Sequence, residues 1–254
     1  MAIVKINTTR PSPYNATIIG RFIYFLLTFS IYYDCLAHKK AVPHPAQGRG
    51  SGSIVGASFA AERIIYMSDG REFDIVVYGA SGFTGRLVAE YLHQQYGADA
   101  DLKWAMAGRS EEKLKAVREE IGVPESVPLI TADADQPETL EALAKRTRVV
   151  LTTVGPYQLY GEPLVAACAK TGTDYVDLCG EPAWMRQMID AHGEAAKASG
   201  ARIVFSCGFD SIPFDMGVYF LQEYAKENLG TYLPRVKGRV RKMKGTFSGG
   251  TAAS

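Results

Sequence analysis

The stretch Gly79-Ala-Ser-Gly-Phe-Thr-Gly85 decides the fold of this chain. It follows an apolar run, Asp74–Tyr78, and precedes a helical pattern whose apolar residues fall on one face. A glycine-rich turn between a strand and a helix lets a pyrophosphate approach the backbone N–H groups at the helix N-terminus, where side chains would block it. The GxxGxxG spacing therefore predicts a dinucleotide-binding turn, although such turns also occur for packing alone. The predicted contacts come from Gly79, Ser81, Gly82, Phe83, Thr84 and Gly85.

Beyond this turn, short apolar runs alternate with helical patterns. The alternation is typical of βαβ units and a parallel sheet, and near-continuous apolar runs suit strands that are covered on both faces. The predicted strands are Asp74–Tyr78, Lys103–Ala107, Val127–Ala132, Val149–Thr153, Asp174–Leu178 and Arg202–Ser206. The sequence thus predicts an α/β fold, a doubly wound parallel sheet of the Rossmann type with strand order 3-2-1-4-5-6.

Several helix ends carry their own signals. Asp135-Gln-Pro-Glu138 predicts an N-cap carboxylate at Asp135, followed by a proline in the first turn. Gly172 and Gly200 are placed where a left-handed residue ends a helix.

The end of the second predicted strand indicates which dinucleotide is bound. NAD enzymes carry an Asp or Glu about 20 residues beyond the glycines, where it binds the ribose 2′-hydroxyl. Here the strand ends in Gly108-Arg109-Ser110, without an acid. The Arg109 guanidinium and the Ser110 hydroxyl suit a 2′-phosphate, so the sequence predicts NADP as the cofactor. The alternative is an arginine on an ordinary surface turn.

The next two strand ends supply further candidate residues. Asp133 follows the third strand, where it can meet an adenine amino group, and it is equally compatible with a plain turn. Val154 and Gly155 follow the fourth strand, where the backbone of a doubly wound sheet passes the nicotinamide ribose. Tyr157 is the candidate catalytic proton donor. Tyr160 competes for that role, and a packing role is open for both.

Polar residues also gather after the fifth and sixth strands. Ligands bind outside the carboxyl ends of strands in such folds. We therefore expect four residues at the rim of one cleft, namely Asp177, Glu181, Asp210 and Ser211. The neighbouring Cys179 and Cys207 have no evident cationic partner, so they are expected to be small core residues.

Composition excludes several classes of protein. The four cysteines form no CxxC pair and no His/Cys cluster with metal-ligand spacing, which predicts reduced thiols and no metal site. A net charge of +1 gives no support for a nucleic-acid surface. A hydrophobic content of 47% is sufficient for a substantial core.

Residues 1–66 do not match the pattern of the rest. They contain an aromatic-rich apolar run, Phe22–Tyr33, and then a basic stretch rich in Gly, Ser and Pro. The run is shorter than the about 20 residues that span a bilayer. We expect an atypical extension, disordered or mis-assigned upstream of a true start at Met67. The alternatives are the apolar core of a signal peptide and a membrane-surface anchor.

The remainder is expected to form one domain and the start of another. Residues 67–221 form the predicted nucleotide-binding domain, and the pattern changes after Leu221. Val236–Phe247 carries a basic run whose alternation suits a strand with one solvated face. We expect residues 222–254 to be the beginning of a substrate domain that is truncated at Ser254.

Five motifs together resemble those of the saccharopine dehydrogenase-like oxidoreductases, and within that group the trans-acting enoyl reductases. The motifs are the glycine loop, Ala107–Arg109, Val154–Pro163, Asp174–Glu181 and Cys207–Pro213. The resemblance implies an N-terminal NADP-binding Rossmann domain and a C-terminal domain that completes the substrate site. It also implies reduction of an acyl-chain double bond in glycolipid or lipid metabolism, often near a membrane.

These inferences lead to one hypothesis and two alternatives. The hypothesis is a cytoplasmic NADP-dependent oxidoreductase that reduces a C=C bond of a lipid-like acyl substrate, with peripheral membrane association as an option. One alternative is a saccharopine-type oxidoreductase acting on an imine or amino acid. The other is a non-catalytic NADP-binding scaffold near a membrane. The sequence does not indicate an oligomeric state.

Overall fold

Six parallel strands form one sheet in the order β3-β2-β1-β4-β5-β6. The computed structural model describes residues 70–97, 102–209 and 211–239. The strands are β1 Phe73–Tyr78, β2 Trp104–Gly108, β3 Leu129–Thr131, β4 Thr147–Thr152, β5 Asp174–Val176 and β6 Ile203–Val204. The predicted fold class and strand order are both confirmed.

Helices connect the strands and continue beyond the last of them. They are α1 Phe83–Tyr96, α2 Glu111–Glu120, α3 Pro137–Arg146, α4 Tyr157–Tyr160, α5 Glu162–Thr171, α6 Pro182–Ser199 and α7 Ile212–Leu229. Gly172 and Gly200 end α5 and α6 in the left-handed conformation, with φ of 70° and 83°, as predicted. Helix α7 runs through residue 221, so the expected domain boundary falls inside it.

The start of α3 differs from the prediction. The N-cap is Gln136, which makes no side-chain capping bond, and Asp135 is an exposed turn residue whose amide donates to Asp133 Oδ1 at 3.1 Å. The turn closes when the Gln136 amide donates to the carbonyl of Asp133 at 3.0 Å, which moves the helix start one residue along. The side chain that bonds to this turn is that of Thr139, whose hydroxyl accepts from the Asp133 amide at 3.0 Å. Asp135 is therefore not the cap.

The core has two layers, one on each face of the sheet. Val76 and Tyr78 of β1 join one buried cluster, and Ile75 and Val77 join the other. This alternation follows from the period of two in a strand. Because helices cover both faces, the central strands are apolar on both sides, as the near-continuous runs in the sequence predicted.

Two predicted segments lie wholly or mostly outside the described residues. These are the apolar run Phe22–Tyr33 and the basic run Val236–Phe247, of which residues 236–239 are described and are not part of a strand. Among the helices that are described, none is long and apolar enough to cross a membrane.

Candidate nucleotide-binding site

The glycine loop folds tightly at the carboxyl end of β1. Gly79 has φ of +89°, and a Cβ atom there would lie 2.7 Å from Val154 Cγ2. A Cβ on Gly85 would lie 2.1 Å from the carbonyl oxygen of Gly79, so this position is closed by packing. A Cβ on Gly82 would meet only that same oxygen, at 3.3 Å, and Gly82 is exposed. The loop is therefore packed on its inner side and open on its outer side.

The first turn of α1 presents unpaired donors at the open side. The first helical bond is donated by the Arg86 amide to the carbonyl of Gly82 at 2.9 Å. The amides of Phe83, Thr84 and Gly85 precede it and have no acceptor among residues 70–97, 102–209 and 211–239. The turn carries no acidic side chain. Free amides at the positive end of a helix suit a phosphate group.

Arg109 and Ser110 follow β2 beside this loop. Arg109 is exposed and makes no hydrogen bond or ion pair with any other described residue. The Ser110 hydroxyl caps α2 by accepting from the Lys113 amide at 3.3 Å. A hydroxyl that accepts one bond still has its own proton to donate. Ser81 of the glycine loop lies close to the end of β2, since its Oγ is 3.6 Å from where a Cβ on Gly108 would stand.

Asp133 lies at the third strand end, as predicted, and it is half-buried. Its carboxylate accepts from the Asp135 amide at 3.1 Å. Tyr78, the last residue of β1, has a buried side chain. Burial and then the Asp133 charge raise the pKa of Tyr78 to about 12, while the Arg109 charge opposes them. The register pairs Tyr78 with Ala107 and Gly108 with Thr131, so the carboxyl ends of β1, β2 and β3 lie side by side.

The turn after β4 packs against the glycine loop. The Thr153 hydroxyl donates to the carbonyl of Gly79 at 3.3 Å, and the Val154 amide donates to Thr152 Oγ1 at 3.2 Å. Val154 and Gly155 are half-buried there. The structure thus brings the candidate residues of the first and fourth strand ends together.

Tyr157 is turned into the core. Its side chain is 4% exposed, and its ring lies 5.6 Å from the ring of Trp184. Its hydroxyl accepts from the Leu178 amide at 3.3 Å. Burial raises the pKa of Tyr157 well above its ordinary value. Tyr160, by contrast, is 39% exposed, so the competitor is the more accessible phenol.

Glu181 makes a contact that the sequence did not reveal. Its Oε1 accepts from the Tyr157 amide at 2.9 Å and its Oε2 from the Gln158 amide at 2.8 Å. These are the first two amides of α4. The sequence placed Glu181 at the rim only, because nothing in its spacing indicates a partner 24 residues away. The signal that could have found this contact is an acidic residue after β5 and, after the neighbouring β4, a helix start whose N-cap, Pro156, has no side chain able to cap it.

Of the other three residues expected at the rim, two are described, and they differ in burial. Asp177 is buried, with Oδ1 accepting from the amides of Cys179 and Ser206 and Oδ2 accepting from the Tyr175 hydroxyl. Ser211 is the N-cap of α7 without a side-chain capping bond. Asp210 lies outside the described residues. Asp177 therefore does not present its carboxylate at the rim as expected, because its two oxygens accept hydrogen bonds within the core.

The thiols and potential metal ligands give no separate site. Cys179 and Cys207 are buried, which raises the pKa of each to about 12, and the prediction of core roles is confirmed. Within the described ranges, no group of three His, Cys, Asp or Glu residues is arranged to hold a metal. A surface cavity of about 280 Å³ lies at the amino ends of β1 and β2, beside Phe73 and Trp104. It is at the opposite edge of the sheet from the glycine loop.

Comparison with known proteins gives matches over this same region. The model of the saccharopine dehydrogenase NADP-binding domain matches residues 75–204. A trans-acting enoyl reductase of Mycobacterium leprae is 57% identical over 154 residues, which are 60% of this chain and 36% of that protein. A Mycobacterium tuberculosis protein provisionally named a trans-acting enoyl reductase is 54% identical over 185 residues, 72% of this chain and 43% of its own length.

The chain thus spans less than half the length of these curated relatives. Among solved structures, the apo saccharopine dehydrogenase (L-Glu forming) of Saccharomyces cerevisiae is 18% identical, with a TM-score of 0.43 over 59% of this chain and 31% of that one.

Proposed function

Because the chain belongs to the saccharopine dehydrogenase NADP-binding domain family, we propose that it is an NADP-dependent oxidoreductase. The observation that carries the proposal is that two groups able to bind phosphate lie side by side, the first amides of α1 and the Arg109 guanidinium. The amides at the start of α1, which have no acceptor in the described part of the chain, suit a pyrophosphate. Arg109 beside them has no hydrogen-bond or ion-pair partner in that part either, and it suits a 2′-phosphate. The family assigns NADP to this domain, so the cofactor predicted from Arg109 agrees with the family match.

Each strand end has its own part in this arrangement. The amides of Phe83, Thr84 and Gly85 bind the pyrophosphate, with Gly82 leaving room for its approach. Arg109 and the Ser110 hydroxyl bind the 2′-phosphate. A second set of residues completes the site: Gly79, Ser81, Asp133 on the adenine side, and Val154 and Gly155 beside the nicotinamide ribose.

The chemistry of the bound cofactor is the delivery of a hydride. The names of the relatives support the C=C bond of an enoyl group as the acceptor, and we propose that this group belongs to a lipid-like acyl chain. Tyr157 as the proton donor remains a prediction, and its role would require the hydroxyl to turn its proton away from the carbonyl of Thr152, to which it donates at 3.5 Å. We further propose that residues 1–66 are an extension, that the cofactor domain runs from residue 67 past the expected boundary at 221 to the end of α7, and that the residues after Leu229 begin a substrate domain. A peripheral membrane contact of a cytoplasmic enzyme would involve the apolar run Phe22–Tyr33.

The test is a titration of the full chain with NADPH and with NADH, followed by nicotinamide fluorescence. We expect wild-type protein to prefer NADPH, and Arg109→Ala to weaken NADPH binding about tenfold without changing that of NADH. Arg235→Ala is the matched control, because Arg235 is an exposed arginine on the segment that follows α7. Equal binding of the two nucleotides by wild-type protein would overturn the role of Arg109. Failure of the folded protein to bind either would overturn the proposal.

A further inference from the structure

Glu181 joins two loops at the carboxyl edge of the sheet. It stands between β5 and α6, and its carboxylate reaches across to the turn that follows β4. Both of its oxygens accept backbone amides, at 2.9 and 2.8 Å. Hydrogen bonds to an ionised acceptor are roughly twice as strong as neutral ones. The contact is therefore a strong link between residues that are 24 positions apart.

The turn that Glu181 holds is the wall of the proposed cofactor site. On one side the Thr153 hydroxyl and the Val154 side chain pack on Gly79. On the other side Gly161 is pressed against Trp184, because a Cβ there would lie 2.5 Å from Trp184 Cζ2. The Glu181 bonds lie between these two contacts in sequence. They hold the backbone just beyond Gly155, beside which the proposed function puts the nicotinamide half.

The engagement of both oxygens argues against acid–base chemistry by Glu181. A general acid or base must reach the proton that it transfers. Here each carboxylate oxygen faces an amide of the protein instead. What the group supplies is orientation and negative charge at the start of α4.

From this geometry we infer that Glu181 is a positioning residue for the nicotinamide half of the cofactor site. The inference rests on the proposed function and adds a division of labour to it. In the proposed function the glycine loop and Arg109 hold the adenine and phosphate half. Within the described part of the chain, no hydrogen bond or ion pair joins them to Glu181, Tyr157 or Gln158. Loss of the carboxylate is therefore expected to disturb one half of the site and to spare the other.

The test compares Glu181→Gln with wild-type protein, using the full chain. Glutamine keeps the volume but replaces one acceptor oxygen with an NH₂ group, which opposes an amide donor. NADPH reports on the whole site, and 2′,5′-ADP reports on the adenine and phosphate half alone. We expect NADPH affinity to fall about tenfold and 2′,5′-ADP affinity to stay unchanged. Glu162→Gln is the matched control, since Glu162 is an exposed carboxylate at the start of α5.

A second measurement does not depend on the cofactor. Amide hydrogen exchange at Tyr157 and Gln158, followed by NMR, should become about tenfold faster in Glu181→Gln and remain unchanged in Glu162→Gln. Unaltered exchange together with unaltered NADPH affinity would overturn the inference. Equal loss of NADPH and 2′,5′-ADP affinity would also overturn it, because that result indicates a general structural role. If wild-type protein binds neither nucleotide, the proposed function itself fails and this inference fails with it.

Discussion

The carbonyl oxygen of Gly79 lies so close to Gly85 that a Cβ on Gly85 would stand 2.1 Å from it. The first turn of α1 is thus packed directly on the end of β1. Gly82, between them in sequence, faces outward, and a Cβ there would lie 3.3 Å from the same oxygen. The three glycines of the loop therefore have separable duties, two in packing and one in leaving space for a ligand.

Substitution of these glycines by alanine should separate folding from binding. We expect Gly85→Ala to lower the free energy of unfolding by about 3 kcal/mol or more, because the clash is with backbone that has no room to move. Gly82→Ala should cost less than about 1 kcal/mol, the range of an unfavourable N-cap residue, and yet weaken NADPH binding at least tenfold. Urea unfolding and NADPH titration measure the two effects. Unchanged NADPH affinity in Gly82→Ala would contradict the proposal that the pyrophosphate binds at this loop.

The sequence predicted the features that local rules control. Strand order followed from the alternation of apolar runs and helices, and the ends of α5 and α6 followed from Gly172 and Gly200. Features that depend on side chains meeting across loops were missed or misplaced. The contact from Glu181 to Tyr157 depends on the path of two loops, which no periodicity encodes. Asp135 lost its predicted capping role because a turn at Asp133 shifted the helix by one residue.

Strand ends illustrate the same limit. Strand β6 was predicted to reach Ser206 but ends at Val204, where the chain leaves the ladder. The Ser206 amide donates instead to the buried carboxylate of Asp177 at 2.8 Å, and Ser206 adopts φ of 58°. A buried acceptor that needs donors thus outweighs the β propensity of the run.

Arg71 anchors the opposite edge of the sheet. Its guanidinium donates to the carbonyls of Ala144 at 3.1 Å and Thr147 at 2.6 Å, and also to the Thr173 hydroxyl. Two further carbonyls, those of Thr171 and Gly172, accept at 2.9 and 3.3 Å. One side chain thereby links the C-terminal ends of α3 and α5 to the first residue of β4.

Removal of this guanidinium should cost stability rather than cofactor binding. We expect Arg71→Ala to lower the free energy of unfolding by about 3 kcal/mol, since several half-buried carbonyls lose a charged donor. Arg71→Lys should recover only part of the loss, because a lysine ammonium lacks the planar fork. Arg146→Ala is the control at the same edge. Arg146 pairs with exposed Glu72, and surface pairs contribute less than about 1 kcal/mol. Urea unfolding of the variants checks this order, and a loss as small in Arg71→Ala as in Arg146→Ala would contradict it.

The substitution Tyr157→Phe distinguishes proton donation from packing as the role of Tyr157. A proton donor should lose at least about 100-fold in turnover with an enoyl thioester when the hydroxyl is removed. The buried hydroxyl and its bond to the Leu178 amide favour packing. We therefore expect Tyr157→Phe to lower the free energy of unfolding by about 1 kcal/mol and to keep turnover within about tenfold. The exposed Tyr160 provides the comparison, and Tyr160→Phe should leave stability unchanged. A drop in turnover at unchanged stability, seen only in Tyr157→Phe, would establish Tyr157 as the donor.

Asp177 gives the fold a dependence on pH. Burial raises its pKa from 3.8 to about 6, and bonds from the Cys179 amide, the Tyr175 hydroxyl and the Ser206 amide only partly offset this. The folded protein thus holds a proton that the unfolded chain releases between about pH 4 and pH 6. Stability from this group is fully present below pH 4 and is lost as the pH rises through about 6. At 1.36 kcal/mol per unit, the loss is about 3 kcal/mol.

Asp177→Asn should remove this dependence while keeping the network. One asparagine oxygen can still accept both amides that Asp177 Oδ1 accepts, and its NH₂ group can donate to the Tyr175 oxygen. We expect the variant to be at least as stable as wild-type protein at pH 7.5. At pH 4 the wild-type protein should gain on the variant by about 3 kcal/mol in unfolding free energy. The measurement is the difference in unfolding free energy between the two proteins from pH 4 to pH 7.5, so that carboxylates shared by both cancel. Asp177→Ala should be destabilised throughout, because it leaves two buried amides unpaired. A difference between wild-type protein and Asp177→Asn that stays constant across this range would show that Asp177 is already ionised in the folded protein at pH 4.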